Sequence, residues 1–169
     1  MMNIKTILKK RWVKWTLEIM FFVVLYFVLR GYMQRNMISG QAPDIQATTI
    51  AQQAFSLHAS EAKPVLVHFW ATWCGICKLE QDSIDALSKD YSVMTIAMQS
   101  GSDDEIKTYL KENNLDFKVI NDINGTFVQR YGVAGVPASF VVNSENEIVA
   151  REVGYTTPWG LRLRLWLAD

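Results

Sequence analysis

Cys74 and Cys77 are the only cysteines among 169 residues, and two residues separate them. A disulfide across so short a span closes almost no loop, whereas structural disulfides gain their stability by closing long ones. The spacing therefore favours a bond made to be broken. The run Phe69-Trp70-Ala71-Thr72-Trp73-Cys74-Gly75-Ile76-Cys77 places the pair where a strand ends and a helix begins. Cys74 would then cap the helix, where free N–H groups and the dipole favour a thiolate. A thiolate is the species that attacks a disulfide, and Cys77, one turn further on, is placed to resolve the mixed disulfide that results. The same C-x-x-C is also half of a zinc site, whose other ligands would have to be His58, His68 or carboxylates. The strand–turn–helix context favours redox chemistry over metal.

Further residues join this candidate site. Gly135-Val136-Pro137 precedes the strand Ala138–Val142, and a Pro opening a strand after Gly is a candidate cis peptide. Held beside the dithiol, Val136 would offer its N–H and C=O to an extended chain; the alternative is an ordinary turn proline. Glu80 lies three residues after Cys77, on a helical stripe Ile76, Glu80, Ile84, Leu87, Tyr91 expected to face the core. A carboxyl there is costly to ionise, so its pKa should rise and it could move protons for Cys77. The alternative is a Glu that reaches the rim. His68 interrupts an apolar strand and is read first as a satisfied core residue, second as a proton-transfer group. Trp70 and Trp73 are expected to pack around the dithiol; Trp73, Gly75, Ile76 and Val136 are the candidate substrate contacts. His58 and the seven Met residues form no cluster.

The elements that must position these residues follow from the pattern. Ile45–Thr49 and Ala54–Leu57 read as short strands, and Val65–Trp70 as a central strand covered on both faces. A helix follows Cys74, then a strand Val93–Met98. Ser102-Asp103-Asp104-Glu105 is a capping box starting a helix with Ile106, Tyr109, Leu110 and Asn113 inward. Thr126–Tyr131 is a helical turn. Ser139–Val142 and Ile148–Val153 form a hairpin, and Thr157-Pro158 caps a last helix with Trp159, Leu163 and Trp166 on one face. The order βαβ, then α, then ββα gives a mixed sheet with helices on both faces.

Charge is unevenly divided. Residues 1–35 carry seven Lys or Arg against Glu18 alone, while the remainder holds 10 basic and 16 acidic residues. An acidic body argues against nucleic-acid binding, and a basic head suits an anionic membrane face. Trp12 to Leu29 is 18 residues interrupted only by Lys14 and Glu18, with Ile19–Leu29 wholly apolar. A spanning helix needs about 17–25 such residues. We place a basic segment at 1–14, a transmembrane anchor at 15–32, a tether at 33–43 and the globular domain at 44–169. The rival is a cleaved signal peptide ending near Gly40 or Ala42, with Pro43 after the cut. The positive-inside rule puts the N-terminus in the cytoplasm and the domain outside, in a bacterium the periplasm.

Together, FWATWCxxC, Lys78-Leu79-Glu80 and Tyr131-Gly132-Val133-Ala134-Gly135-Val136-Pro137 resemble the thioredoxin superfamily over roughly Ala42 to Tyr155. They are most similar to its membrane-tethered extracytoplasmic branch of TlpA, ResA and ScsD type. The anchor and the stretch YTTPWGLRLRL look most like the ScsD-type proteins. The resemblance implies an α/β thioredoxin fold behind one N-terminal transmembrane helix. It also implies disulfide exchange with periplasmic protein thiols, no cofactor, Cys74 as nucleophile, Cys77 as resolving thiol and Pro137 cis. A DsbD-like electron carrier in the inner membrane is the implied partner.

Three positions depart from the pattern: Ile76 stands where the branch usually has Pro, His68 where thioredoxins proper have a buried Asp, and Gln81-Asp82 where a Pro often follows the Glu. Two other classes are disfavoured. Copper-carrying relatives use C-x-x-x-C with a downstream His, whereas both His residues here precede the cysteines. A peroxidase needs Pro and Thr before its cysteine, and only Thr72 is present. Gly75 and Ile76 bring no charge or side-chain donor to the Cys74 sulfur, so a reducing couple is expected.

Overall fold

A computed structural model describes residues 4–168. Residues 1–3 of the expected basic segment lie outside the described residues, and Lys5, Lys9, Lys10 and Arg11 are described only as helical backbone. The chain divides into two units at Arg35/Asn36.

The first unit is one helix, α1 (Ile4–Gln34). Its stretch Trp12–Gln34 is long and apolar enough to cross a membrane, and none of it is buried in protein. The two charges that interrupt the apolar run sit one turn apart, and Lys14 Nζ approaches Glu18 at 3.8 Å. At the other end Arg30 donates to the Tyr26 hydroxyl at 2.9 Å and the Arg35 guanidinium lies over the Tyr32 ring. Amphipathic Tyr–Arg pairs of this kind suit a membrane–water boundary.

The second unit runs β1 (Gly40–Gln41), β2 (Gln46–Thr48), β3 (Ala54–Ser56), β4 (Val65–Trp70), α2 (Gly75–Ser88), β5 (Ser92–Met98), α3 (Asp103–Glu112), β6 (Val119–Asp122), α4 (Thr126–Arg130), β7 (Ala138–Val142), β8 (Glu147–Val153) and α5 (Pro158–Leu167). Six strands form a sheet in the order β1-β8-β7-β4-β5-β6, and β2–β3 is a separate hairpin. β4, β5 and β6 are parallel, while β7 and β8 are antiparallel additions. This is the thioredoxin fold.

Every residue of β4 is buried, as expected for a strand covered on both faces. Alternation then divides them. Leu66 and Trp70 join the core shared with α2, α3 and α5, whereas Val65, Val67 and Phe69 join Met37, Tyr131 and Phe140 on the other side. His68, between Leu66 and Trp70, faces the α2 side.

The structure adds one strand and corrects one expectation. β6 was not anticipated, because Val119-Ile120-Asn121-Asp122 is too short and too polar at its end to stand out. On α5, Trp159, Leu163 and Trp166 share one face as expected; that face is exposed, and Leu161 and Leu165 are buried on the other. On α3 the expected inward face is present: Ile106 is buried, Tyr109 and Leu110 pack half-buried against the core, and the capping box forms. The expected tether is not free chain. Met37 and Ala42 are buried, Ile38 N–H donates to Tyr131 O, and β1 pairs with β8. A Cβ at Gly132, whose φ is +64°, would collide with the Asn36 carbonyl.

A domain beginning at Asn36 should therefore fold alone, whereas one beginning at Asp44 loses a buried Met and a strand. Burial of the Met side chain alone is worth about 1.5–3 kcal/mol. Chemical denaturation should show at least that deficit for 44–169 relative to 36–169. Equal midpoints would make residues 36–43 a tether after all.

Candidate functional site

β4 ends at Trp70, and the chain turns through Ala71–Trp73 before α2 begins. The turn is pinned at three points: Cys74 N–H donates to Ala71 O at 3.2 Å, Thr72 N–H to Ser100 Oγ at 3.1 Å, and Trp73 Nε1–H to Gln99 O at 3.2 Å. Behind it, Trp70 Nε1–H donates to Thr95 Oγ1 and the indole stacks among Tyr109 and Phe117. Trp70 is thus a buried wall, while Trp73 stands exposed at the rim.

Cys74 is the N-cap of α2, with extended backbone, and its sulfur accepts the Cys77 N–H at 3.1 Å. The two sulfurs form a disulfide. Both residues are nearly buried, Cys74 at 6% exposure and Cys77 at 3%. The Cys74 sulfur lies 3.6 Å from Val136 O. The Val136–Pro137 bond is cis, and so is Lys63–Pro64, which the sequence had not singled out. Phe69 pairs with Ala138 in the β4–β7 register, so Val136-Pro137 arrives beside the turn that carries Cys74.

The buried stripe of α2 is Cys77, Glu80, Ile84 and Leu87, not the expected one starting at Ile76. The helix begins at Gly75, and Cys77 packs into the core with Trp70 and Ile84, which leaves Ile76 exposed. Trp73, Ile76 and Leu79, neighbours of the nearly buried dithiol in sequence, are thus all exposed.

Under the dithiol sits a polar cluster. Glu80 is 1% exposed, its Oε2 accepts the Thr156 N–H at 3.1 Å, and its Oε1 has no hydrogen-bond partner. His68 Nδ1 lies 3.8 Å from Oε1 and 2.9 Å from Ser139 Oγ. Burial pushes the Glu80 pKa up from the usual 4.5 to about 7, against the pull of the Thr156 hydrogen bond. Burial pushes His68 down to about 3. The contact is therefore not an ion pair at neutral pH, because the interior disfavours both charges. Ser139 and Thr156 were missed in the sequence. Only strand register reveals Ser139, which lies directly across from His68. His58 is apart from this cluster, its Nε2 hydrogen-bonded with Ala42 O at 2.7 Å.

Residues 38–151 match the AhpC/TSA family. A thioredoxin-like protein of Haemophilus influenzae is 30% identical over 99% of this chain and 98% of its own. The thiol-disulfide oxidoreductase ResA of Bacillus thuringiensis is 27% identical over 78% of this chain and 80% of its own. Among solved structures, a thiol:disulfide interchange protein of Chlorobium tepidum superposes with a TM-score of 0.67 at 21% identity, covering 78% of this chain and 97% of that one. StoA of Bacillus subtilis gives 0.61 at 23%, covering 74% and 96%.

The raised Glu80 pKa has a stability consequence. Folding favours its neutral form, so no penalty exists below about pH 4.5, and the penalty grows as pH rises towards about 7. Glu80→Gln should then stabilise the protein at pH 8 by on the order of 1–3 kcal/mol, and not at pH 4. The contribution of His68 runs the other way, lost as pH falls from 6.5 towards 3, but it is common to both proteins. Denaturation at the two pH values checks this; a gain that is equal at both would contradict it.

Proposed function

The chain belongs to the AhpC/TSA family and is a thioredoxin-fold thiol–disulfide oxidoreductase; we propose that it works outside the cytoplasm, tethered to the bacterial inner membrane, as a reductant of protein disulfides. The observation that carries the reading is the nearly buried Cys74–Cys77 pair at the start of α2, with the Cys77 N–H on the Cys74 sulfur.

In the forward step the Cys74 thiolate attacks a substrate disulfide, and one substrate sulfur leaves as thiolate. Cys77 then gives its proton to Glu80 and attacks the Cys74 sulfur of the mixed disulfide. The Cys74–Cys77 bond forms, the bond to substrate breaks, and the second substrate thiolate departs with the electron pair. Two electrons have passed from the dithiol to the substrate, and a donor dithiol must return them. A DsbD-like carrier in the same membrane is the donor that tethering would serve. Pro137 and Val136 lie against Cys74, where the backbone could align an extended substrate; Trp73, Gly75 and Ile76 form the rim it would meet.

Anchoring is supported by α1. Five Lys or Arg precede its apolar core and two follow, so the N-terminus is assigned to the cytoplasm and the domain to the periplasm. Cleavage near Gly40 or Ala42 would cut within the folded unit and strip buried Met37 from it. Basic segment 1–14 and anchor 15–32 stand in this reading, and the domain begins at Asn36.

The reducing direction rests on what surrounds Cys74. Gly75 and Ile76 offer no charge, and the helix N-terminus contributes about 0.3–2 kcal/mol. The thiolate is modestly stabilised, so the reduced form gains little over the disulfide.

Cys74→Ser should abolish disulfide reduction in an insulin-type assay, whereas Cys77→Ser should accumulate mixed disulfides through Cys74, seen on non-reducing gels. Normal turnover by Cys77→Ser would overturn the assigned roles.

A further inference from the structure

The polar cluster holds one group that the exchange cycle has not used. We propose that His68 is a positioning residue for Glu80: its Nδ1–H alternates between Ser139 and Glu80, and so sets how readily Glu80 takes the proton of Cys77. The inference rests on the assignment of Glu80 as acceptor for Cys77.

The geometry leaves His68 little else to do. Glu80 Oε1 is buried and unpartnered, while Oε2 is already engaged by the Thr156 N–H. An ionised carboxyl there needs a second donor. His68 Nδ1 faces it at 3.8 Å, a little beyond hydrogen-bond length, and bonds instead to Ser139 Oγ at 2.9 Å. A pivot of under about 1 Å carries the donor from one oxygen to the other. Ser139 both donates and accepts, so its hydroxyl is satisfied in either position. The arrangement is built from three elements, with His68 on β4, Glu80 on α2 and Ser139 on β7, and all three residues are buried.

In the cycle the device works as follows. Ionised Glu80 draws the His68 Nδ1–H towards Oε1. When Cys77 attacks the mixed disulfide, its proton passes to Glu80, and the donor is released to Ser139. When a donor dithiol reduces the Cys74–Cys77 bond, Glu80 returns the proton to the Cys77 thiolate. The imidazole stays neutral throughout, which burial favours. The other groups around the pair are Cys74 and Cys77 of α2, neutral Thr95 of β5 opposite His68, and Glu152 of β8 opposite Ser139. Arg164 of α5 matches the Glu152 charge.

The two supports make opposite demands, and that gives the test. The rate at which a mixed disulfide on Cys74 is resolved is followed against pH in the full chain, held in detergent. Removing the donor with His68→Phe should move the Glu80-dependent limb up by about one pH unit. Removing the competitor with Ser139→Ala leaves the donor on Glu80 and should move the limb down. In a Glu80→Gln background neither substitution should move the profile. If Glu80→Gln itself leaves the profile unchanged, Glu80 is not the acceptor and the proposed cycle falls. If Glu80→Gln abolishes the limb while His68→Phe and Ser139→Ala shift it in the same direction or not at all, the inference about His68 alone falls. The unsubstituted protein gives a check that needs no variant to fold. The ¹⁵N resonance of His68 Nδ1 should titrate with the Glu80 carboxyl, and a flat resonance through that transition would overturn the inference.

Discussion

The backbone N–H of Cys77 points at the sulfur of Cys74, 3.1 Å away, and this contact requires a helix that starts at Gly75 and a strand that stops at Trp70. Both requirements are met by the sheet. β4 lies between β5 and β7 with its residues buried on both sides, so its end is fixed in space. The hydrogen bonds of Thr72 and Trp73 to the Gln99–Ser100 turn then hold the junction at the end of β5. Placed there, one helix end serves two purposes: it satisfies its own free N–H groups through a sulfur, and it makes that sulfur a better leaving or attacking group. The chain entering β7 brings the Val136 carbonyl to 3.6 Å from the same atom.

The interior beneath the dithiol is built against stability. A strand of apolar residues with His68 in it, and a helix stripe of Cys77, Ile84 and Leu87 with Glu80 in it, would be more stable with apolar replacements. The cost is reduced because burial keeps His68 neutral and disfavours the Glu80 charge, and by single hydrogen bonds from Thr156 and with Ser139. One carboxyl oxygen is still left without a partner. A polar atom left unsatisfied in a core is informative, because packing alone would have removed it.

Much of this was legible in the sequence, and the reasons differ by residue. The unalternating run Val65–Trp70, the two-residue spacing of the cysteines and the capping box at Ser102 are local signals, and each element forms where the signal lies. A Pro opening β7 gave the cis bond at Val136–Pro137. The inward turn of Glu80 was readable from its distance to Cys77, but the phase of the stripe was not. Ile76 fits a 3.6-residue period as well as Cys77 does, and only the tertiary packing, which buries Cys77 with Ile84 and Leu87, decides between them. Ser139 and Thr156 were invisible because they reach the site through strand register and chain return, which no local window contains. Residues 36–43 look like linker by composition, yet a single buried Met and a two-residue strand bind them to the fold.

The proposed membrane attachment and redox direction meet in one quantity. In the proposed reading, a reductant outside the cytoplasm must be recharged across a membrane, and that is the purpose the reading gives to the apolar helix. The couple itself is set close to Cys74, where neutral Gly75 and Ile76 leave the helix N-terminus as the main source of thiolate stabilisation. The most direct test is the equilibrium of Cys74–Cys77 against a glutathione series at neutral pH. The account requires a potential near the roughly −270 mV of thioredoxin, and a value above about −150 mV would contradict it and make the protein an oxidant.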